Sequence, residues 1–542
     1  MFDVKISNGK IVDGSGKSAF MGDIGVIGDK IAAVGNLENS ESKLIIDAKG
    51  NIVCPGFIDM HTHSDLSIVY DHHANARIYS GVTTEVIGNC GIGVAPVNPD
   101  KKQLLIDYLG TRLIGSLPVE IQLNWNSFEE YLDYVDSINP SVNIAPLLAQ
   151  GAVRIAEMGF SKEKPSSEGL EKMKDRVRKA MSEGAIGLTS GLVYMPGEYT
   201  STEELIELCK EIKPFGGYYT SHIRNEGREV FAAVEEAITI GKKSGVPVHI
   251  SHLKIMGNKS SEDIDKLLER LENAKNEGIE VTFDVYPYTA GQTSLSALMP
   301  PWCFEGGVGN LVKRLQNKDI RRKIINDIEA GIPGWNNFAK MANDWSGIII
   351  ATISSESNKY LEGKSIEEIS KLMCKDPYET VFDLIIAEEG KVQIVLESMR
   401  EEDVEKIISH KGAMIGSDSM CLSTEGILSS GKPHPRYFGT QAKILSKYVR
   451  EKQLISIEDA INRMTLLSAK RLGINNRGLL KEDYYADIVI FNPNEVQDKA
   501  TYVNPKQYSE GISTVIVNGQ LVLENSQRKE VFPGRVLRRK NN

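Results

Sequence analysis

Nowhere in this sequence of 542 residues is there an uninterrupted apolar run of about 18 residues, so no membrane-spanning helix is expected. The opening residues, Met1-Phe2-Asp3-Val4-Lys5, lack the basic stretch and following apolar stretch of a secretory signal. Positive charge is in deficit: 63 Lys and Arg against 73 Asp and Glu leave a formal net charge of −10. That balance argues against non-specific nucleic-acid binding, which needs basic patches to displace counterions from phosphates. The six cysteines (Cys54, Cys90, Cys209, Cys303, Cys374 and Cys421) have no framework spacing, which excludes a disulfide scaffold. A reducing cytoplasm is the expected compartment, with any functional cysteine acting as a thiolate ligand or nucleophile. Internal repeats and low-complexity tracts are also missing. What remains is an ordinary globular composition, 41% hydrophobic and 25% charged, which excludes a disordered or collagen-like chain. At roughly 150 residues per domain the length allows three or four units, or fewer if one is a large α/β barrel.

The two ends of the chain read as short strands and turns. Gly28-Asp29 sits between Ile24–Ile27 and Lys30–Val34, and Asn518-Gly519 between Thr514–Val517 and Gln520–Leu523, both plausible hairpins. Asn8-Gly9 reads as a further turn, between Val4–Ile6 and Lys10–Val12. Together these ends suggest a small β-sandwich built from residues 1–58 and 476–542. The middle alternates apolar runs with amphipathic helices, the pattern of βα units and a parallel sheet. Leu170, Met173, Val177, Ala180 and Met181 share a helical face that ends at Gly184, and Ser201-x-x-Glu204 forms a capping box. Eight strands are expected, at Ile52–Ile58, Thr83–Gly88, Val142–Leu148, Ala185–Thr189, Tyr218–Arg224, Val246–Leu253, Ile279–Tyr286 and Ala413–Ile415. Eight βα units fit an α/β fold of the TIM type, a (β/α)8 barrel over residues 59–475. The spacing breaks between strands seven and eight, where about 120 residues (roughly 289–410) read as an inserted subdomain on the catalytic face, with a strand-like run at Gly347–Ile353. Its Trp302, Trp335 and Trp345 either cover a pocket or pack the insertion.

Histidine is scarce, nine in all, yet His61, His63, His222 and His252 each fall at or just past the C-terminal end of an expected strand. That rim is where active sites of this fold lie. Any one of them alone reads more readily as a hydrogen-bonded structural histidine; four at equivalent positions read as ligands. In His61-Thr62-His63 the residues i and i+2 project to the same side, so both imidazoles can face one ion. Imidazole suits Zn²⁺, and a catalytic zinc keeps a position open for water. Cys90, in Gly88-Asn89-Cys90-Gly91, ends the second strand and reads as a zinc thiolate rather than an inert buried thiol. Asp418 ends the last strand, where a carboxylate can take a proton from an activated water and return it to a leaving amine. A loop-capping aspartate is the alternative.

These residues together resemble the amidohydrolase superfamily, specifically its D-aminoacylase (N-acyl-D-amino-acid deacylase) family. The likeness runs over nearly the whole chain and is carried by Gly88-Asn89-Cys90-Gly91, His222-Ile223-Arg224-Asn225-Glu226, Ser251-His252-Leu253-Lys254, Tyr286-Pro287-Tyr288 and His434-Pro435-Arg436. It implies hydrolysis of the amide bond of N-acyl-D-amino acids. One tightly held zinc would sit on Cys90, His222 and His252, with a second, weaker metal position at His61 and His63 and with Asp418 as the catalytic acid–base. Lys254, Tyr286 and Arg436 would grip the substrate α-carboxylate, and Tyr194 would touch the substrate. Relatives with a bridging carboxylated lysine carry it after the fourth strand; here that strand reads Thr189-Ser190-Gly191, which weakens a hydantoinase-like reading. The chain departs from the family at Leu253, where a second histidine is common. The segment after Tyr288, Thr289-Ala290-Gly291-Gln292-Thr293-Ser294-Leu295, carries no cation, so a substrate with a neutral side chain is expected. Two rivals remain at this point: a cyclic-amide or N-acyl-peptide hydrolase on the same barrel, and a non-catalytic binding protein. The partner expected is a small N-acyl amino acid, with neither nucleic acid nor membrane.

Overall fold

The computed structural model describes residues 1–113, 120–257 and 261–539. The middle of the chain is carried by short parallel strands at Phe57–Asp59, Val82–Ile87, Asn143–Pro146 running on into Leu148–Ala149, Gly187–Gly191, Tyr218–His222, Val248–Ile250, Val281–Val285 and Ala413–Ile415. Each pairs with the next in parallel register, and the seventh reaches the eighth across the inserted segment. The eighth then returns to the first. Met60 N donates to Ile415 O (3.2 Å), Asp418 N to His61 O (2.8 Å) and His63 N to Ser419 O (2.9 Å). The pairings therefore form a closed cycle of strands.

The strands are buried almost throughout, as expected when helices cover a parallel sheet. The helix Ser167–Ser182 shows how. Ser166 Oγ accepts from Gly169 N, Met173, Val177, Ala180 and Met181 are buried at helical spacing, and Gly184 at φ +115° follows the end. At Ser201 the expected box is only half made. Ser201 Oγ accepts from Glu204 N (3.2 Å), but the Glu204 carboxylate takes Arg154 Nη1 at 2.5 Å instead of reaching back to the cap.

Two expected elements differ. The apolar run Ile52–Ile58 is not one strand: Ile52–Pro55 pairs antiparallel with Ile488–Phe491 near the C-terminus, and Phe57–Asp59 joins the parallel cycle. The break falls at Gly56, where a Cβ would lie 2.2 Å from Thr83 Oγ1, so only glycine lets the chain cross this close to the second strand. Asn8-Gly9 is not a turn. A single strand, Phe2–Ile11, runs through it with a bulge between Ile6 and Gly9 and with Asn8 at φ +55°.

The terminal strands form one nine-stranded sheet around Ile6, Ile11, Ile24, Val26, Ile31, Ile488, Ile490 and Ile516. Both expected hairpins are present. The insertion holds a three-stranded antiparallel sheet, Ala290–Ser294, Ile348–Thr352 and Gln393–Glu397, surrounded by helices. Its tryptophans pack the insertion. Trp302 Nε1 donates to Asp327 Oδ2 (2.8 Å), Trp345 lies edge-on to Tyr378, and Trp335 is buried within the main apolar cluster. Phe338 and Leu396, not the tryptophans, line the cleft described next.

Candidate metal centre and its cleft

The C-terminal edge of the strand cycle gathers every donor expected from the sequence. Cys90 Sγ lies 3.2 Å from His61 Nε2 and 3.4 Å from His252 Nε2. Asp418 Oδ1 lies 3.1 Å from His63 Nε2 and 3.6 Å from His61 Nε2. Three sets (His61, His63, Cys90; Cys90, His222, His252; His61, His252, Asp418) each have their ligand atoms within 4.8 Å of one another. Zinc bonds of about 2.0–2.3 Å at tetrahedral angles separate ligand atoms by about 3.3–3.8 Å, so the spacing suits such an ion.

The backbone is strained at these donors. Cys90, His252 and Asp418 have φ of +54°, +36° and +51°, left-handed values that cost a side-chain-bearing residue on the order of 1–3 kcal/mol each. Close packing holds the Cys90 loop in place: a Cβ at Gly191 would stand 2.0 Å from Cys90 O, and Gly91 N donates to Thr189 Oγ1 (3.2 Å). The fourth strand, which lacks a lysine, is the floor of that loop.

Charge at the centre is strongly coupled. Burial resists ionisation of Cys90, yet His61, His252 and His222 together hold its thiol well below the usual range. Burial likewise opposes the Asp418 carboxylate; the Arg436 guanidinium, with Nη1 3.0 Å from Oδ2, and the neighbouring histidines outweigh it and keep Asp418 well below the ordinary value. His222 is desolvated, but the Glu226 charge and the Cys90 contact lift it to about 9. Both His222 ring nitrogens are buried and make no hydrogen bond of good geometry, with Nε2 3.3 Å from Glu226 Oε2.

A cleft of about 360 Å³ opens from this floor and is lined by Tyr194, Lys254, Tyr286 and Arg436, all four of the residues expected at the substrate. In the structure two of them already have partners: Lys254 Nζ meets Glu226 Oε1 at 2.6 Å, and Arg436 meets Asp418. Leu253 is buried beside the centre.

A family model described as "Amidohydrolase family" matches residues 44–523. The D-aminoacylase of Alcaligenes xylosoxydans xylosoxydans is 32% identical over 99% of this chain and 98% of its own. The chain belongs to the amidohydrolase family, in its D-aminoacylase branch. A solved D-aminoacylase structure superposes with a TM-score of 0.81 at 31% identity, covering 99% of each chain. So does an N-acyl-D-glutamate deacylase from Bordetella bronchiseptica, complexed with zinc and a phosphonate inhibitor, with a TM-score of 0.81 at 30% identity over 99% of each chain.

Three features of this amidohydrolase's site are not drawn from the sequence. Glu226 places Oε1 3.1 Å from His252 Nδ1 and Oε2 3.3 Å from His222 Nε2, clamping both imidazoles. Asp284 does the same on the other side, with Oδ2 3.4 Å from His61 Nδ1 and 2.8 Å from His249 Nε2 and with Oδ1 accepting from His252 N (3.0 Å). Behind the first and eighth strands lies a buried ionic knot. Arg77 Nε meets Glu85 (2.5 Å), Arg77 Nη2 donates to Ser419 Oγ (2.6 Å), and Asp59 Oδ1 accepts from Ser417 N (2.8 Å). The knot fixes the loops that carry His61, His63 and Asp418. Its sequence signal is Asp59 and Glu85 inside buried strands and Arg77 on a short buried helix.

Proposed function

We propose that this amidohydrolase hydrolyses N-acyl-D-amino acids to a carboxylate and a free D-amino acid, using zinc held by Cys90, His222 and His252, with His61 and His63 offering a second, weaker position. The observation that carries this reading is the meeting of one thiolate and several imidazoles with Asp418, on the floor of a cleft that also holds Lys254, Tyr286 and Arg436. We further infer that the strand cycle is a (β/α)8 barrel over residues 57–475, its start moved from the expected 59 because Phe57–Asp59 is its first strand, that residues 1–56 and 476–542 make one discontinuous β domain with sandwich character, and that residues 289–410 are an insertion. The six free cysteines support a reducing cytoplasm as its compartment.

Bound zinc supplies Lewis acidity, polarising the acyl carbonyl and making water more acidic. The chain's own groups do the rest. Asp418 Oδ1, held beside His63 and His61, accepts the proton of the attacking water and passes it to the departing amine nitrogen. The α-carboxylate binds between Lys254 and Arg436, against the Tyr286 hydroxyl, where a planar guanidinium and an ammonium complement it. Tyr194, whose ring lies 5.1 Å from that of His222, flanks the scissile bond.

The test is a deacylation panel of N-acetyl amino acids in D and L pairs, run with chelator, without it, and with zinc restored. Release of the D-amino acids alone, abolished by chelator and recovered with zinc, is the expected result. Turnover of L substrates, or activity indifferent to chelator, overturns the reading.

A further inference from the structure

The cleft has two lobes, on either side of His252 and Asp418. One is walled by Glu226, Lys254 and Tyr286, and the other, about 470 Å³, by His63, Cys90 and Arg112. Arg112 is the last residue of the helix Lys102–Arg112. Its guanidinium stacks 4.4 Å from the centre of the Tyr194 ring, Nη1 donates to Ser294 Oγ (2.8 Å), and Nε is buried with no hydrogen-bond partner. The inserted sheet also holds the residue before it, since Gln393 Nε2 donates to Thr111 O (3.0 Å). The cation is therefore positioned, and it faces the cleft.

What it lacks is an anion. Arg77 has Glu85 at 2.5 Å, Arg154 has Glu204 at 2.5 Å and Arg436 has Asp418 at 3.0 Å. After burial, the groups that act on the Arg112 charge are the phenols of Tyr108 and Tyr194, with no carboxylate of the described residues among them. A desolvated guanidinium without a counter-ion is unfavourable, and a planar carboxylate brought from outside satisfies it in two hydrogen bonds. The segment after Tyr288 carries no cation of its own; it supplies the Ser294 hydroxyl that holds one delivered by a different helix.

We propose that Arg112 recognises a second carboxylate of the substrate, beyond the α-carboxylate, so that preferred substrates are N-acyl amino acids bearing a further acid group on the side chain or at the far end of the acyl chain. The proposal rests on the deacylase reading and names its substrate class. Arg436 borders both lobes, while Lys254 and Arg112 border one each, so a dianionic substrate spans the centre with a cation at each end.

The experiment compares kcat/KM for N-acetyl-D-Leu, N-acetyl-D-Glu and N-succinyl-D-Leu on the zinc-loaded wild type, Arg112→Met and Arg112→Lys. One of the two dicarboxylates is expected to exceed N-acetyl-D-Leu by about 10- to 100-fold, the range of a charge-assisted pair. Preference for N-acetyl-D-Glu places the acid on the side chain, and preference for N-succinyl-D-Leu places it on the acyl chain. Arg112→Met should collapse the ratio to about 1, and Arg112→Lys should recover part of it. Equal or better turnover of N-acetyl-D-Leu by the wild type, or a ratio that survives Arg112→Met, overturns the proposal while leaving the deacylase reading intact. No turnover of any of the three overturns both. Should Arg112→Met fold poorly, the wild-type ratio and Arg112→Lys still decide.

Discussion

Two β-rich regions of this molecule are built from opposite materials and buried to different degrees: strands such as Ser42–Asp47 of the terminal sheet are largely exposed, whereas the parallel strands are buried almost throughout. The sheet assembled from the chain ends encloses an apolar cluster of Ile6, Ile24, Ile31, Ile488 and Ile516, and its buried charge amounts to Lys5 and the Arg477–Asp487 pair at its seam. The C-terminal edge of the parallel strands and the layer behind it bury Asp59, His61, Arg77, Glu85, Glu226, His249, Asp284 and Arg436. Taking charges out of water costs several kcal/mol per ion unless each finds a partner, so such a concentration is a poor way to hold a fold together. The terminal sheet stabilises the molecule; the strand edge holds donors in positions they would not otherwise adopt. Mutations should therefore separate activity from stability according to region.

The largest effect is expected at Asp418. Asp418→Asn keeps the shape of the side chain and removes the proton acceptor, so kcat should fall by about 10²–10⁴-fold while metal content stays at the wild-type level. Loss of metal together with activity would instead make Asp418 chiefly a ligand. Next comes Glu226→Gln, which takes the charge from the clamp on His222 and His252. A fall of about 10–100-fold in zinc affinity is expected, read by competition with a chromophoric chelator. An unchanged affinity would show that the backbone alone orients the two imidazoles.

How much of this was legible in the sequence follows from the same contrast. The donors stand out because histidine is rare here and because each sits where an apolar run stops; rim position and residue type coincide at His61, His63, Cys90, His222, His252 and Asp418. The outer carboxylates are harder to see. Asp284 lies inside Val281-Thr282-Phe283-Asp284-Val285 and Glu85 inside a fully buried strand, so the signal is a charge where the pattern asks for an apolar residue. Arg112 gives no such signal, because the contact that defines it, to Ser294, spans 182 positions. The split of Ile52–Ile58 was hidden for another reason: apolar pattern runs unbroken through Gly56, and only the proximity of Thr83 shows that the chain changes sheets there.

The contrast also predicts effects on stability. Ile516→Ala, deep in the terminal sheet, should cost about 2–5 kcal/mol and lower the melting temperature, with kcat/KM per folded molecule unchanged. A change in KM would mean that the terminal sheet helps shape the cleft.

A second effect on stability, this one dependent on pH, is expected from a carboxyl near the strand edge that has no ion-pair partner among the described residues. Glu198, in the loop after the fourth strand, is desolvated, and that burial lifts it from 4.5 to about 8 despite the nearby Arg224 charge. Arg224 is already committed, with Nε and Nη2 donating to the Glu236 carboxylate at 2.9 Å each and Nη1 donating to the Glu198 backbone carbonyl rather than its side chain. Because the folded chain binds this proton more tightly than the unfolded one, the group's contribution to stability is complete below 4.5 and is lost as pH rises through about 8. Glu198→Gln mimics the protonated form at every pH. Its melting temperature should therefore equal that of the wild type in acid and rise progressively above it across that window, by the difference between the two melting curves measured in matched buffers. A constant offset at all pH values would mean that Glu198 has the same pKa in the folded and unfolded chain, the Arg224 charge cancelling the effect of burial.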